Sequence, residues 1–350
     1  MRKIDSILIT GADGFLGSHL TDFLINKDYF VYALKKPSGF INNLTQYTNG
    51  KNNFSLEGLD NQYNKRIKIP TNHKSLTILE CDLKNRELLE KILKKANPKF
   101  IFHFGAQPFV IPSWEDPVNT IETNVIGTIN IFEPIKKHKI KSRIIVACSS
   151  AEYGTTTNLN RALKETDPLL AIHPYGISKI ASELLARQYF INFGIESVML
   201  RFFNQTGPQK VNDACSDFIM RIAQIELGLV EPIIEVGNLD PYRDFTGITD
   251  SLQAIWLAAT KGRPGETYNI CSSKKIQIRE VLNIALGFSK KQILVRENTP
   301  NKLRNTDEDI ILGDNTKIKT ELGFNITQSI ESILKEMFDY WINYFQKIKR

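Results

Sequence analysis

Residues 3–20 read Lys3-Ile-Asp-Ser-Ile-Leu-Ile-Thr-Gly-Ala-Asp-Gly-Phe-Leu-Gly-Ser-His-Leu20. The apolar run Ile7 to Ile9 predicts a first strand, and Gly11, Gly14 and Gly17 follow it directly. Leu20, Phe23 and Leu24 then recur at helical spacing. Strand, glycine turn and helix start together make an anion site. Backbone N–H groups and the positive end of the helix dipole face an approaching phosphate, and glycines let the backbone come close. Glycines at this spacing also build ordinary turns, but their place directly after a strand points to a dinucleotide. Asp13, Phe15 and Leu16 lie inside the turn and join the three glycines as expected cofactor contacts.

Working outward, 350 residues suffice for one large domain or two lobes. Hydrophobic residues make up 42% and charged residues 24%, the balance of a soluble globular chain. No apolar run approaches the roughly 20 residues of a membrane span. The N-terminal apolar residues are already used by the first strand, so no signal peptide is read and a cytoplasmic location is expected. Cys81, Cys148, Cys215 and Cys271 are widely separated with no C-x-x-C pair, which predicts free thiols and no metal site. The net charge of +7 comes from scattered lysines rather than one stripe with interleaved aromatics. That argues against a nucleic-acid partner and suits small anionic ligands.

Phe30 to Leu34 predicts the second strand, and the residue after it decides the cofactor. An acidic side chain there takes a ribose 2′-hydroxyl, whereas a basic one suits a 2′-phosphate. Lys35 and Lys36, followed by Ser38, favour NADP, with NAD possible. The connection 39–74 is long for a βαβ unit. Leu76 to Cys81 predicts a third strand, ending at Asp82 and Leu83, where an adenine edge would be met. A helix carrying Leu88, Leu89, Ile92 and Leu93 follows.

Phe100 to Phe104 reads as a fully buried strand, with Gly105, Ala106 and Gln107 as a tight loop after it. Pro117 stands near a helix start, and Ile121, Val125, Ile129 and Phe132 continue at a period near 3.6. Ile144 to Cys148 predicts a fifth strand ending in Ser149-Ser-Ala-Glu-Tyr-Gly154, and Pro174 opens a helix through Leu184, Leu185 and Tyr189. Glu196 to Phe203 predicts the sixth strand. Such alternation gives an α/β fold, a Rossmann-like, doubly wound parallel sheet with helices on both faces. After Asn204 prolines and glycines are frequent and strands short, with helices expected at 217–228, 249–260, 278–286 and 327–345. The expected organisation is a dinucleotide domain at 1–203, with 240–262 returning to it, and a smaller mixed α/β substrate lobe at 204–350.

Tyr175 and Lys179 are four apart on a predicted helix and project from one face. A tyrosine is a poor acid at neutral pH, and bringing its pKa to about 7 needs roughly 4 kcal/mol of differential interaction. An ammonium group and a positively charged nicotinamide nearby would favour the phenolate. A Tyr-x-x-x-Lys pair arises easily by chance, as a half-buried tyrosine beside a solvated lysine. Here it follows the fifth strand, whose end offers Ser149 and Ser150, so three kinds of polar group converge near a dinucleotide.

The glycine turn, the Ser149 to Gly154 run and Tyr175-x-x-x-Lys179 resemble the extended short-chain dehydrogenase/reductase family, in its nucleotide-sugar modifying branch, over essentially the whole chain. Arg201-Phe-Phe-Asn-Gln-Thr-Gly-Pro208, Ser216-Asp-Phe218, Val236-Gly-Asn-Leu239, Arg243-Asp-Phe-Thr246 and Leu312-Gly-Asp314 are similar to GDP-4-keto-6-deoxy-mannose reductases. The resemblance implies that Ser149 would hydrogen-bond the reacting carbonyl oxygen and Tyr175 would pass it a proton. Lys179 would hold the nicotinamide ribose. Gln107, Ser150, Asn204, Asn238 and Arg243 would meet the nucleotide-diphosphate sugar, and subunits of such enzymes pair as homodimers or homotetramers.

Two departures matter. The related 4,6-dehydratases keep a glutamate two residues before the tyrosine of the Tyr-Gly pair, where it removes the C5 proton. Ala151 stands there, and Glu152 is one position off, facing the other way in extended backbone. This favours a reductase, with Glu152 kept as the candidate acid/base of the alternative. Lys35-Lys36-Pro-Ser38 and the following loop instead resemble the NADP loop of GDP-mannose 4,6-dehydratases, and Gln107-Pro108 resembles CDP-glucose 4,6-dehydratases. The expected activity is NADP(H)-dependent reduction of a 4-keto, 6-deoxy sugar on a nucleotide, GDP above all, in the synthesis of cell-surface polysaccharide precursors. Its alternatives are a 4,6-dehydratase or an epimerase/reductase with recycled cofactor, and more remotely a non-catalytic dinucleotide sensor.

Overall fold

Thr10 and His103 end two adjacent parallel strands, and the first unit of the protein is arranged about that point. The computed structural model describes residues 5–37, 42–48, 68–69, 71–154, 161–300 and 310–349. Ser38 and most of the 39–74 connection lie outside them. The chain divides into two compact units. The first comprises Met1–Gly154, Pro168–Arg201 and Ile255–Tyr268; the second comprises Thr155–Asp167, Phe202–Ala254 and Asn269–Arg350. The segment returning to the first unit is therefore 255–268, against the 240–262 read from the sequence.

In chain order the first unit contains β1 (Ser6–Thr10), α1 (Phe15–Ile25), β2 (Phe30–Lys35), β3 (Lys68–Ile69), β4 (Leu76–Glu80), α2 (Arg86–Ala96) and β5 (Phe100–His103). It continues with α3 (Val110–Glu115), α4 (Pro117–Ile121), α5 (Gly127–His138), β6 (Arg143–Ser149), α6 (Pro174–Phe193) and β7 (Ser197–Phe202). In space the strands of the unit run β7-β6-β5-β1-β2-β4-β3. β1 pairs in parallel with both β2 and β5, so the strand order reverses there. In open α/β sheets the crevice at such a reversal is the ligand site.

The continuous apolarity of the strands has its cause in burial on both faces. Every residue of β5 is buried, and six of the seven residues of β6 are. On one face Leu89 and Ile92 of α2, Phe132 and Ile135 of α5, and Ala186 and Tyr189 of α6 pack with Ile101, Ile144 and Met199. Each such large apolar side chain contributes about 1.5–3 kcal/mol on burial. Elsewhere Phe23, Tyr29 and Phe100 set their rings edge-on around Trp256 at 5.4–6.0 Å.

The single helix read from Pro117 onward is broken. Between α4 and α5 the residues Glu122–Ile126 form one π turn. The wider turn admits an extra residue, a device common at functional positions, and here Asn124 is buried.

The second unit holds short strands, as the frequent prolines and glycines imply. Tyr242–Gly247 pairs in parallel with Asn204–Thr206 and antiparallel with Lys275–Gln277. Phe218, Ile222, Val281, Leu282, Leu334, Met337 and Trp341 form its core on helices Ala214–Glu226, Ile278–Leu286 and Ile330–Lys349. The first of these starts before the expected 217 because Asp213 caps it, accepting from the Ser216 backbone at 2.7 Å. Asp244 is the polar centre of the unit. It accepts from Ser272 (backbone 2.7 Å, hydroxyl 2.6 Å), the Ser273 backbone (3.0 Å) and the Gly313 backbone (3.2 Å). All four cysteines are free and buried. No helix among the described residues is long and apolar enough to cross a membrane.

Candidate active site

The glycine turn is built by close approach of backbone. Gly11 has φ 66°, and a Cβ there would stand 2.8 Å from the Gly105 backbone. A Cβ on Gly17 would stand 2.2 Å from the Gly11 carbonyl oxygen, so only glycine fits. Gly14 is the N-cap of α1 and brings no capping side chain to it. The end of a helix that opens at a switch point without a side-chain cap is a cradle for phosphate. Asp13, half-buried beside it, has its carboxyl pushed up by burial, partly offset by Lys35.

A polar chain that the sequence reading missed fixes the loop after β5. Thr10 Oγ1 lies 2.9 Å from His103 Nδ1 and accepts from the Gly105 backbone at 2.9 Å. His103 Nε2 lies 3.1 Å from the Thr128 hydroxyl. Burial lowers the His103 pKa to about 3, so the ring is neutral and serves as a hydrogen-bond link between β1, β5 and α5. Phe104, Gly105 and Ala106 are half-buried at this strand end, with Leu83 packed against Gly105. Asp82 accepts from the Lys84 backbone at 2.9 Å.

Asn124, swung inward by the π turn, joins three elements. Its Oδ1 accepts from the Gln107 backbone at 2.7 Å, and its Nδ2 donates to the Gln107 carbonyl (3.1 Å) and the Ser178 hydroxyl (2.8 Å). It ties the β5 loop to the first turns of α6. The available signal was slight, an asparagine between Thr120 and Thr128 at helical spacing.

Gln107 itself differs from expectation. Its side chain donates to Phe109 O and Thr120 Oγ1, both at 3.0 Å, and accepts from the Phe109 backbone at 2.6 Å. Its amide is spent on its own loop and on α4 instead of being offered to a ligand.

Ser149, Tyr175 and Lys179 are brought together at the end of β6. Pro174 occupies the first position of α6, and His173 caps it through Nδ1, which accepts from Gly176 N at 2.9 Å. The His173 ring lies parallel to Tyr175 with centroids 6.0 Å apart, a support that sequence reading did not identify. The nearly buried Lys179 Nζ donates to the Ala147 carbonyl at 2.7 Å and lies 6.0 Å from the Tyr175 ring centre. Burial pulls the Lys179 ammonium below its ordinary range.

The sequence reading favours the Tyr175 phenolate for a site that holds the nicotinamide; the chain alone sets only its starting point. Burial pushes its pKa up to about 12, and a hydrogen bond with Ser149 offsets this only in part. In the chain by itself Tyr175 is a neutral phenol at pH 7, with a proton to donate.

Glu152 requires a correction. The backbone after Ser149 is not extended but turns through a 3-10 turn, Ser150–Glu152. Glu152 folds back beneath the strand end, accepts from the Ser149 backbone at 2.8 Å, and is fully buried. A carboxyl so placed does not reach a substrate. Ser150 is half-buried on the same turn, and Ser149 Oγ accepts from the Ala151 backbone at 3.2 Å.

The two lysines after β2 also part company. Lys35 is 3% exposed and its Nζ sits 2.8 Å from Glu80 on the neighbouring strand. The expected phosphate ligand is thus neutralised inside the sheet, whereas Lys36 is exposed. Asn204, Asn238 and Arg243 all belong to the second unit. Asn204 Nδ2 donates to Asp244 O at 3.1 Å, Asn238 Oδ1 accepts from Asp240 N at 3.0 Å, and the mostly buried Arg243 donates to Tyr242 O at 2.8 Å.

A glycine cradle at a sheet reversal, with serine, tyrosine and lysine gathered at the end of β6, defines an extended short-chain dehydrogenase/reductase. The family model described as GDP-mannose 4,6 dehydratase matches residues 8–337, and the chain belongs to that family. GDP-6-deoxy-D-mannose reductase of Pseudomonas aeruginosa is 26% identical over 245 residues, covering 70% of this chain and 80% of its own. GDP-mannose 4,6-dehydratase of Yersinia enterocolitica is 26% identical over 362 residues, covering 94% of this chain and 92% of its own. The fold matches that of RMD from Pseudomonas aeruginosa complexed with NADPH, with a TM-score of 0.77 and 22% identity, over 97% of this chain and 100% of that one.

Proposed function

We propose that the protein is an NADP(H)-dependent reductase of a 4-keto sugar carried on a nucleoside diphosphate, with GDP as the carrier. The observation that carries this reading is a neutral Tyr175 hydrogen-bonded with Ser149 at the strand end, beside Ala151 and a Glu152 turned into the interior. That set can donate a proton to a carbonyl oxygen, but the 149–154 turn presents no carboxylate to remove one from carbon. The two relatives described above are a reductase and a dehydratase, and this difference supports the first reading.

The glycine cradle fits a dinucleotide: Gly11 and Gly17 let the turn close on its own backbone, and Gly14 opens α1 with no side-chain cap, the kind of helix start that takes a phosphate. Gly11, Gly14 and Gly17 would receive the pyrophosphate, Lys179 the ribose, and Asp82 with Leu83 the adenine edge. A bound nicotinamide supplies the hydride. Ser149 orients the carbonyl oxygen, and Tyr175 gives it a proton from its own hydroxyl. Asn204, Asn238 and Arg243 of the second unit would hold the nucleotide diphosphate.

Lys36, not Lys35, is assigned to the 2′-phosphate, because only Lys36 is exposed. Lys36→Ala is expected to raise the KM for NADPH about tenfold, the loss of one charge-assisted bond, and to leave the KM for NADH unchanged. Equal effects on both cofactors would remove Lys36 from that role. Val118, Ile121 and Ile126 on the α4–α5 run, with Ile177, Leu184 and Ile191 seven apart on α6, are exposed apolar side chains. They support a homodimer or homotetramer in which a second copy covers this face.

The test is incubation with a GDP-linked 4-keto-6-deoxy sugar and NADPH. A stoichiometric loss of reduced nicotinamide absorbance is expected. Loss of water from a GDP-hexose without added reductant would establish the dehydratase instead.

A further inference from the structure

Behind the strand end lies a buried cluster that the proposed reaction does not use. Glu152 Oε1 accepts from the Ser149 backbone at 2.8 Å, while Oε2 is buried and takes no donor among the described residues, with Arg201 Nε at 3.5 Å. Arg201, at the end of β7, spends its fork elsewhere. It donates to Glu183 at 2.8 and 2.5 Å and to the Tyr153 hydroxyl at 2.9 Å. Glu183, on α6, is also reached by the Thr267 hydroxyl at 3.2 Å. Oxygens of Glu152 and Glu183 and the Cys148 sulfur all lie within 4.8 Å of one another. The cluster thus sets two carboxyls against one guanidinium. Were both ionised, two carboxylates would face each other in the interior with one Glu152 oxygen lacking a donor, which is strongly unfavourable.

A proton on Glu152 Oε2 resolves both difficulties. The acceptor-only oxygen becomes a donor toward Glu183, which stays ionised against Arg201. Burial and the neighbouring Glu183 charge both push Glu152 well above the ordinary carboxylate range, whereas Arg201 holds Glu183 down. The other titratable groups facing it are Cys148 on β6, and Tyr175 and Lys179 on α6. The ammonium of Lys179 is not in hydrogen-bond contact with Glu152; its Nζ is directed to Ala147 O.

We propose that Glu152 is a positioning residue: its carboxyl keeps a proton that it shares with Glu183, and in that form it holds Ser149 in register with Tyr175. Ionisation of Glu152 would set two anions against each other beneath Ser149 and loosen the strand end. This rests on the reductase reading only for its effect on turnover; the shared proton stands independently.

The test has three readouts. The infrared spectrum of the wild-type protein at neutral pH is expected to contain the carbonyl stretch of a protonated carboxyl that Glu152→Gln removes. Absence of any such difference overturns the proposal. Because Glu152 holds its proton more tightly folded than unfolded, stability contributed by that proton is full below the unfolded carboxyl pKa and is lost as pH rises toward the folded value. Glu152→Gln, which keeps the shape and the donor toward Glu183, is expected to lose that slope in its unfolding midpoint.

In turnover, the wild type is expected to fall at the alkaline pH where its carboxyl band vanishes, and Glu152→Gln to keep its rate through that pH. An identical alkaline limb in both overturns the positioning role. If Glu152→Gln does not fold, the wild-type band and activity are titrated together, and a band that persists where activity falls has the same meaning. A band without turnover on any 4-keto sugar nucleotide overturns the reductase reading and leaves the shared proton in place.

Discussion

Tyr175→Phe is expected to reduce turnover by about 10²–10⁴-fold, the range attributed to a positioned general acid. NADPH affinity should change little, because the phenyl ring keeps its place against His173 at 6.0 Å and Lys179 keeps its bond to Ala147. The hydroxyl removed is the one joined to Ser149, and with its pKa near 12 it carries the proton at pH 7. Steady-state kinetics with a 4-keto sugar nucleotide, set beside cofactor titration by fluorescence, separate the two effects. Undiminished turnover would mean that the oxygen takes its proton from elsewhere, and the assignment of Tyr175 would fall. Weakened cofactor binding with unchanged turnover would make the tyrosine a binding group only.

Gly17→Ala is expected to have the second large effect. Its Cβ would stand 2.2 Å from the Gly11 carbonyl oxygen and 2.8 Å from Ala12 Cα, both backbone atoms with no rotamer to yield. Over-packing of this kind costs about 1–3 kcal/mol, and displacement of the turn removes the phosphate cradle with it. NADPH affinity should fall by tenfold or more, read by calorimetry, with a lower unfolding midpoint. Gly14→Ala offers a graded comparison, since its Cβ would meet the same oxygen at 3.2 Å and should do less harm. Equal losses in the two variants would show that the turn is loose and that its glycines are not set by space.

The glycine turn and the strand alternation were legible because both are local. A period of two or of 3.6, or a glycine after a strand, is decided by neighbours in the chain. What was not legible depended on partners far along it. Lys35 reads as a phosphate ligand until β2 and β4 pair Lys35 with Glu80, which the register of those strands alone decides. Glu152 was placed by assuming extended backbone, and one 3-10 turn sent it inward toward Glu183 and Arg201, contributed by α6 and β7. Gln107 looked available because the residues that absorb its amide, Phe109 and Thr120, could not be recognised as its partners. Asn124 and His173 carried faint signals, an asparagine between two threonines at helical spacing and a histidine directly before a helix-opening proline. Neither could be interpreted before the π turn and the cap were seen.

The cysteines divide evenly between the two units, Cys81 and Cys148 in the first, Cys215 and Cys271 in the second. All four are shut away from solvent, and burial holds each thiol in its unreactive form. A thiolate is the species that alkylating reagents capture, so modification waits on local opening. Peptide mapping of which sulfurs have been trapped, minute by minute, therefore gives two independent clocks. One times the breathing of the dinucleotide-type unit and the other that of its companion, without a single label having to be engineered into the chain.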